Sequence, residues 1–337
     1  MVKQPTPLNN NLIPTIIVSG FLGAGKTSFL NHTIKNNPNT RFAIIENEFG
    51  EENIDGHLIV NTSSDILELN NGCLCCSLND KLYDILFHLH LKKKDFDVLI
   101  IEATGIADPA NIAELFIIHP AVKKTFNLKN VITIVDTEQI IDQLNQTNEA
   151  IKQISFSDVI ILNKPDLIDE VNLYNVKSII QKINPTATLF TKENNVFPMI
   201  DFIQTSYAIK KPQIDKHTNC SHAIQTHEHN PKQIEHQHTD FTSITLRYME
   251  AFDIQQLFHN LTVFLTFQAK DVYRVKGFIF DQTNQSYLLQ SVGKRINIEP
   301  IKNDELELMN SVIVFIGKGI QHKSLDKLMR KSILNNN

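Results

Sequence analysis

Residues 15–31, TIIVSGFLGAGKTSFLN, dictate local structure more firmly than any other stretch. Gly20, Gly25, Lys26 and Thr27 fit G-x4-G-K-[ST], placed between an apolar β-branched run and a helical pattern, the context that this motif requires. The glycines let successive backbone N–H groups turn inward around phosphate oxygens. The helix that follows points its positive end at the same place. A strand, a phosphate loop and a helix are therefore expected in that order. Gly20, Gly23, Ala24, Gly25, Lys26, Thr27 and Ser28 are the expected nucleotide contacts, with Lys26 reaching the β- and γ-phosphates and the Thr27 hydroxyl holding Mg²⁺.

From residue 14 to about 207, short runs rich in Val, Ile and Thr alternate with segments of helical length. The runs are TIIVSG, RFAIIENE, FDVLIIEATG, NVITIVD, DVIILNK and TATLFTK. This alternation predicts α/β architecture: a P-loop NTPase domain with a mostly parallel sheet and helices on both faces. Residues 209–240 break the rhythm with a polar, His-rich segment. Beyond it, ITLRYME, VYRVKGFIF, QSYLLQSV and SVIVFIGKG read as strands, and DIQQLFHNLTVFLTF and SLDKLMRKSIL as helices. The expected organisation is a P-loop domain over 14–208, a His-rich linker over 209–240, and a smaller α+β C-terminal domain over 241–330. Arg274 and Lys276 share one strand face there, where they either bind an acidic partner or are solvated, and solvation is the expectation.

DVIILNKPDL ends an apolar strand with Asn163, Lys164, Pro165 and Asp166. An N-K-x-D at this place reads guanine: the carboxylate accepts from the ring N1–H and the 2-amino group, which adenine does not offer. The lysine stem covers the base face. FDVLIIEATGIADP ends a buried type of strand at Glu102 and turns at Gly105. Glu102 is placed to bond Mg²⁺ or its water, and the Gly105 N–H to sense the γ-phosphate. Lys26, Thr27 and Glu102 are the catalytic candidates. No glutamine stands where it would obviously position an attacking water, so slow intrinsic turnover is expected.

Cys73, Cys75 and Cys76 crowd into four positions of NNGCLCC. Adjacent cysteines rarely close a disulfide. Thiolates at this spacing converge on a soft cation such as Zn²⁺, at about 2.3 Å, and Cu⁺ is also admitted. Upstream, ENEFGEENIDGHL carries Glu46, Glu48, Glu51, Asp55 and His57 after the second strand, where P-loop GTPases keep a loop responsive to the γ-phosphate. It is a candidate switch that also offers oxygen ligands. Of the chain's 13 histidines, His217, His222, His227, His229, His236 and His238 lie in the polar linker with Cys220. The pairs His227/His229 and His236/His238 suit Zn, Ni, Cu and Co alike, as a collecting arm.

The formal net charge of -5 argues against a broad basic nucleic-acid surface, and no nucleic-acid partner is expected. No run of about 18 apolar residues occurs, so no membrane span is expected. MVKQPTPLNNNLIP lacks an apolar core, so no secretory signal is expected and the cytoplasm is the expected compartment. In that reducing setting clustered cysteines serve metals or catalysis.

Taken together, GFLGAGKTSFLN, IENEFGE, NNGCLCC, IIEATGIADP, LNKPDL, YRVKGFI and VIVFIGKG resemble the CobW family, metal-associated GTPases related to the UreG and HypB groups. The resemblance implies a GTPase domain followed by a smaller C-terminal domain, GTP-Mg²⁺ binding, slow hydrolysis to GDP and phosphate, and Zn²⁺ or a similar transition metal at the thiols. It further implies transfer of that metal to a client metalloprotein, with Glu46 and Glu51 among the metal ligands. A homo-oligomer is admitted. Alternatives are a non-enzymatic metal buffer and a GTPase for maturation of cobalamin or of nickel or cobalt enzymes. A small-molecule or RNA kinase is disfavoured by Asn163 to Asp166 and by the lack of a lid signal.

Overall fold

The computed structural model describes residues 12–46, 58–61, 66–68, 78–194, 196–200, 241–269, 271–301 and 310–334. In chain order the strands are β1 Ile13–Ser19, β2 Phe42–Glu46, β3 Leu58–Asn61, β4 Ile66–Glu68, β5 Val98–Glu102, β6 Phe126–Asp136, β7 Val159–Asn163, β8 Thr188–Thr191, β9 Phe241–Tyr248, β10 Val272–Phe280, β11 Ser286–Val292, β12 Arg295–Pro300 and β13 Ser311–Lys318. The helices are α1 Lys26–Asn36, α2 Leu78–Leu91, α3 Pro109–Ile118, α4 Pro120–Lys123, α5 Ile140–Gln146, α6 Asn148–Phe156, α7 Glu170–Ile183, α8 Ile254–Phe267 and α9 His322–Arg330.

Among the described residues the first sheet has eight strands, in the order β4-β3-β2-β5-β1-β6-β7-β8. The six runs legible in the sequence form its parallel part, from β2 across to β8. Strands β3 and β4 add an antiparallel edge beside β2 that the sequence reading missed. Its strand-like runs are only 4 and 3 residues long, too short to show a period. Strand side chains alternate between two faces. Ile17, Ala43, Ile45, Leu99 and Ile101 therefore pack under α2 and α3, while Ile16, Val18, Ile44, Val98 and Ile100 pack against α1. A third cluster joins Ile160 and Leu162 to α5, α6 and α7. Helices start where the sequence supplies caps: Asp108 accepts from Ala110 N at 2.9 Å, with Pro109 opening α3.

The second sheet is antiparallel, in the order β12-β11-β10-β13-β9. Its odd-numbered β10 residues, Val275 and Ile279, pack with Leu257, Leu261 and Leu265 of α8 and with Leu325 and Met329 of α9. Full burial of each such aliphatic side chain contributes about 1.5–3 kcal/mol. The opposite face lies on the first domain, where Val292 of β11 enters the core under α3.

Here the expectation for Arg274 and Lys276 is overturned. Both are buried, and both donate to Asp158 Oδ1, at 2.6 and 2.7 Å. Arg274 also donates to Ser157 O at 3.0 Å and stacks on the Phe156 ring at 4.8 Å. The pair does share a strand face, as expected, but the face meets protein rather than water. Burial pushes the Asp158 carboxyl up; Lys276, Arg274 and the Val131 N–H outweigh it and hold the group down to about 2. Burial lowers the Lys276 ammonium, with Asp158 opposing.

Candidate nucleotide site and its neighbours

Strand β1 is buried along its whole length and delivers the chain to the phosphate loop at the sheet's carboxyl edge. Gly20 leaves the strand at φ 140°, and a Cβ there would lie 2.3 Å from Ile134 O of β6. Gly25, at φ 103°, directly precedes α1, and a Cβ on it would lie 2.3 Å from Asn163 Nδ2. Glycine is thus demanded twice, by backbone angle and by close approach. Ala24 N closes the turn on Phe21 O at 3.1 Å. Among the described residues no side chain caps α1, and its first turn carries no acidic residue. The first N–H groups of the helix therefore face outward with an uncompensated positive end.

Lys26 is buried, and its Nζ donates to Gly20 O at 2.9 Å and Phe21 O at 3.3 Å. Burial lowers its pKa, and the charge of Glu102 opposes that. The ammonium is therefore a cation held on loop carbonyls and eager for a further anionic partner. Thr27 and Ser28 are exposed in the first turn of α1.

The residues expected to read guanine follow, and Asn163 lies against this loop. Asn163 ends β7, and its Nδ2 donates to Ala24 O at 2.8 Å. Its Oδ1 is buried and has no hydrogen-bond partner among the described residues. Lys164 adopts the left-handed φ of 57° and donates to Asp136 Oδ2 at 2.7 Å. Asp166 sits exposed in the short 3-10 turn Pro165–Leu167.

Glu102 ends β5, paired in register with Val18 of β1 on one side and Glu46 of β2 on the other. Gly105 follows it closely: a Cβ there would lie 2.7 Å from Leu22 N, so the loop after β5 touches the phosphate loop. Gln153 of α6 is buried and donates from Nε2 to both Gly105 O and Ala107 O, at 3.1 Å each.

These features fit a guanine nucleotide and Mg²⁺. The glycine cradle has no room for a Cβ at its walls. The unpaired Asn163 Oδ1 is an acceptor aimed from a buried position, and an exposed threonine hydroxyl and a strand-end carboxylate are hard oxygen donors of the kind Mg²⁺ takes. The sequence reading missed Asp136 and Gln153. A signal for each existed: Asp136 ends an otherwise apolar strand, and Gln153 interrupts the buried face of α6 formed by Ala150, Ile151 and Ile154.

Cys73, Cys75, Cys76, Glu48, Glu51, Asp55 and His57 lie outside the described residues, as do Cys220, His217, His222, His227, His229, His236 and His238. Glu46 is placed by its backbone, at the end of β2. Among the described residues no group of three or more His, Cys, Asp or Glu could hold a metal ion. No described helix is long and apolar enough to cross a membrane.

Residues 14–191 match the family description CobW/HypB/UreG, nucleotide-binding domain, and residues 241–333 match the cobalamin synthesis protein cobW C-terminal domain. Zinc chaperone YjiA of Escherichia coli is 30% identical over 312 residues, which cover 91% of this chain and 94% of that protein. Zinc-regulated GTPase metalloprotein activator 1 of Schizosaccharomyces pombe is 27% identical over 346 residues, 93% and 84% of the two chains. Among solved structures, the Zn(II)-bound YjiA GTPase from E. coli superposes with a TM-score of 0.66 at 26% identity, covering 96% of this chain and 99% of that one.

Proposed function

The chain belongs to the CobW/HypB/UreG family and is a P-loop GTPase, and from that premise we propose that it carries Zn²⁺ as cargo at Cys73, Cys75 and Cys76 and delivers it to a client protein according to its nucleotide state. The observation that carries the proposal is the register Val18–Glu102–Glu46 across β1, β5 and β2. Glu46, the first residue of the proposed ligand stretch that also holds Glu51, ends β2 level with Glu102, and β5 lies between β2 and the strand that feeds the phosphate loop. A change in phosphate occupancy is thereby one strand removed from the start of that stretch. Two of the relatives matched over most of their length are named for zinc, which supports Zn²⁺ as the cargo.

In this reading Lys26 and the N–H groups of Gly23 to Thr27 hold the phosphates, and Asp166 accepts from the guanine edge while the Lys164 stem covers its face. Thr27 and Glu102 would hold Mg²⁺, which when bound neutralises charge on the β- and γ-phosphate oxygens. Gly105 N–H follows the γ-phosphate, and Gln153 holds the carbonyl side of that loop. The histidines of 217–238 gather metal, and the cytoplasm keeps the thiols reduced.

The test is a Zn²⁺ titration of the full chain with no nucleotide, with GDP and with a non-hydrolysable GTP analogue, each with Mg²⁺. The expected result is a Zn²⁺ affinity that differs at least about fivefold between nucleotide states, with GTP affinity altered by the same factor when zinc is present. Equal zinc dissociation constants in all three states would overturn the coupling. Element analysis of the purified protein checks the cargo itself.

A further inference from the structure

We propose that Asp136 and Thr137, at the end of β6, are positioning residues that set the guanine specificity of the site by clamping the Asn163–Lys164 turn from the neighbouring strand. The inference rests on the guanine reading of Asn163 to Asp166 and adds the residues that hold that motif in place.

Strands β6 and β7 run parallel, with Asp136 opposite Asn163 in register. Asp136 is 2% exposed. Its Oδ2 accepts from Lys164 Nζ at 2.7 Å, and its Oδ1 accepts from Glu138 N at 3.0 Å, so both oxygens are engaged and the carboxylate cannot swing. Thr137 is 1% exposed, and its backbone N donates to Asn163 O at 3.1 Å. Its hydroxyl lies 2.7 Å from Lys164 O and 3.1 Å from Asn163 O, and donates its single proton to one of them. The turn is thus held through both carbonyls and through the lysine head.

That grip has a physical purpose. Lys164 has a φ of 57°, a region that a side chain with a Cβ rarely occupies. Without outside contacts it would relax toward negative φ and swing Pro165 and Asp166 away. The phosphate end of the site has holds of its own: Lys26 donates to the Gly20 and Phe21 carbonyls, and Ala24 N closes the loop on Phe21 O. Loosening the clamp therefore acts on the base end: it costs the Asp166 contacts that guanine makes and adenine does not, and leaves phosphate binding common to both nucleotides.

The experiment measures dissociation constants for non-hydrolysable GTP and ATP analogues with wild type, Asp136→Asn and Thr137→Val, alongside thermal melts. In Asp136→Asn the GTP-over-ATP preference is expected to fall about tenfold or more, with ATP affinity within about threefold of wild type. Thr137→Val, which keeps shape and loses the hydroxyl, is expected to move the same ratio by less, and carries the test by itself if Asp136→Asn does not fold. An unchanged ratio, or a parallel loss of both affinities, overturns the proposal. Absence of a GTP preference in wild type overturns the guanine reading itself, a distinct outcome read in the same assay.

Discussion

Arg274 Nη2 donates to Asp158 Oδ1 at 2.6 Å across the boundary between the two sheets, from a position 116 residues further along the chain. Lys276 shares the same oxygen at 2.7 Å. Two cations from β10 and one carboxylate just before β7 thus pin the C-terminal sheet to the nucleotide-binding sheet. The carbonyls of Ser155 and Ser157, at the end of α6, accept from the same guanidinium. The helix that grips Gly105 through Gln153 is therefore also the one that receives the second domain.

Removing one partner of a buried pair leaves a charge uncompensated, which costs about 3–5 kcal/mol. Asp158→Asn strands two cations, so it is expected to destabilise in that range. Arg274→Met leaves the Lys276–Asp158 pair intact and is expected to cost less. Urea unfolding of the full chain measures both. Equal stability of wild type and Asp158→Asn would remove the pin from the account.

The same carboxylate predicts a pH dependence. Its folded pKa, about 2, lies below its ordinary value of 3.8, so the stabilisation is present above pH 4 and is lost as pH falls from about 4 to 2. Roughly 2 kcal/mol is at stake. Denaturant midpoints measured at pH 6, 4 and 2.5 are expected to drop in the last interval for wild type, and to drop less in Asp158→Asn.

Lys26→Met removes an ammonium whose charged form is disfavoured by burial. The nucleotide-free protein is expected to melt no lower than wild type, while GTP affinity falls by at least about a hundredfold. Fluorescent-nucleotide binding and a melting curve separate the two effects.

Gln153→Leu keeps volume and leaves the Gly105 and Ala107 carbonyls without their donor. A buried unpaired group costs about 1–3 kcal/mol, and these half-buried carbonyls lie toward the lower end of that range. Single-turnover assays are expected to show a lower hydrolysis rate with GTP affinity nearly unchanged, because Gln153 contacts the loop after β5 and not the phosphate loop. A matched loss of affinity would instead place its influence on the phosphate loop.

Cys75→Ala is expected to bind GTP as wild type does and to lose tight Zn²⁺ binding. The check is a competition titration against a zinc chelator. Retention of wild-type zinc affinity would move the cargo site off the thiols.

Several elements were legible because their signals are local. The phosphate loop is a contiguous pattern flanked by a strand and a helix. The six parallel strands show as β-branched runs. Strand β12 escaped notice because RINIEP is short and ends in proline. Arg274 and Lys276 misled for a different reason. Two cations alternating on a strand look the same whether they meet water or a carboxylate from a distant segment.

Local spacing alone established the strand–loop–helix order of the phosphate seat and the alternation of β-branched runs with helices, and it located the N-K-x-D run, since each depends on neighbours within one or two turns of chain. Asn163 as a brace on Ala24, Gln153 as the holder of Gly105, Asp136 as the anchor of Lys164 and Arg274 as the pin to Asp158 emerged only from folding. Those pairs stand 139, 48, 28 and 116 residues apart. What brings them within hydrogen-bond reach is strand order and register, which are selected by the burial of whole sheet faces and leave no mark on the sequence around any one of the residues concerned.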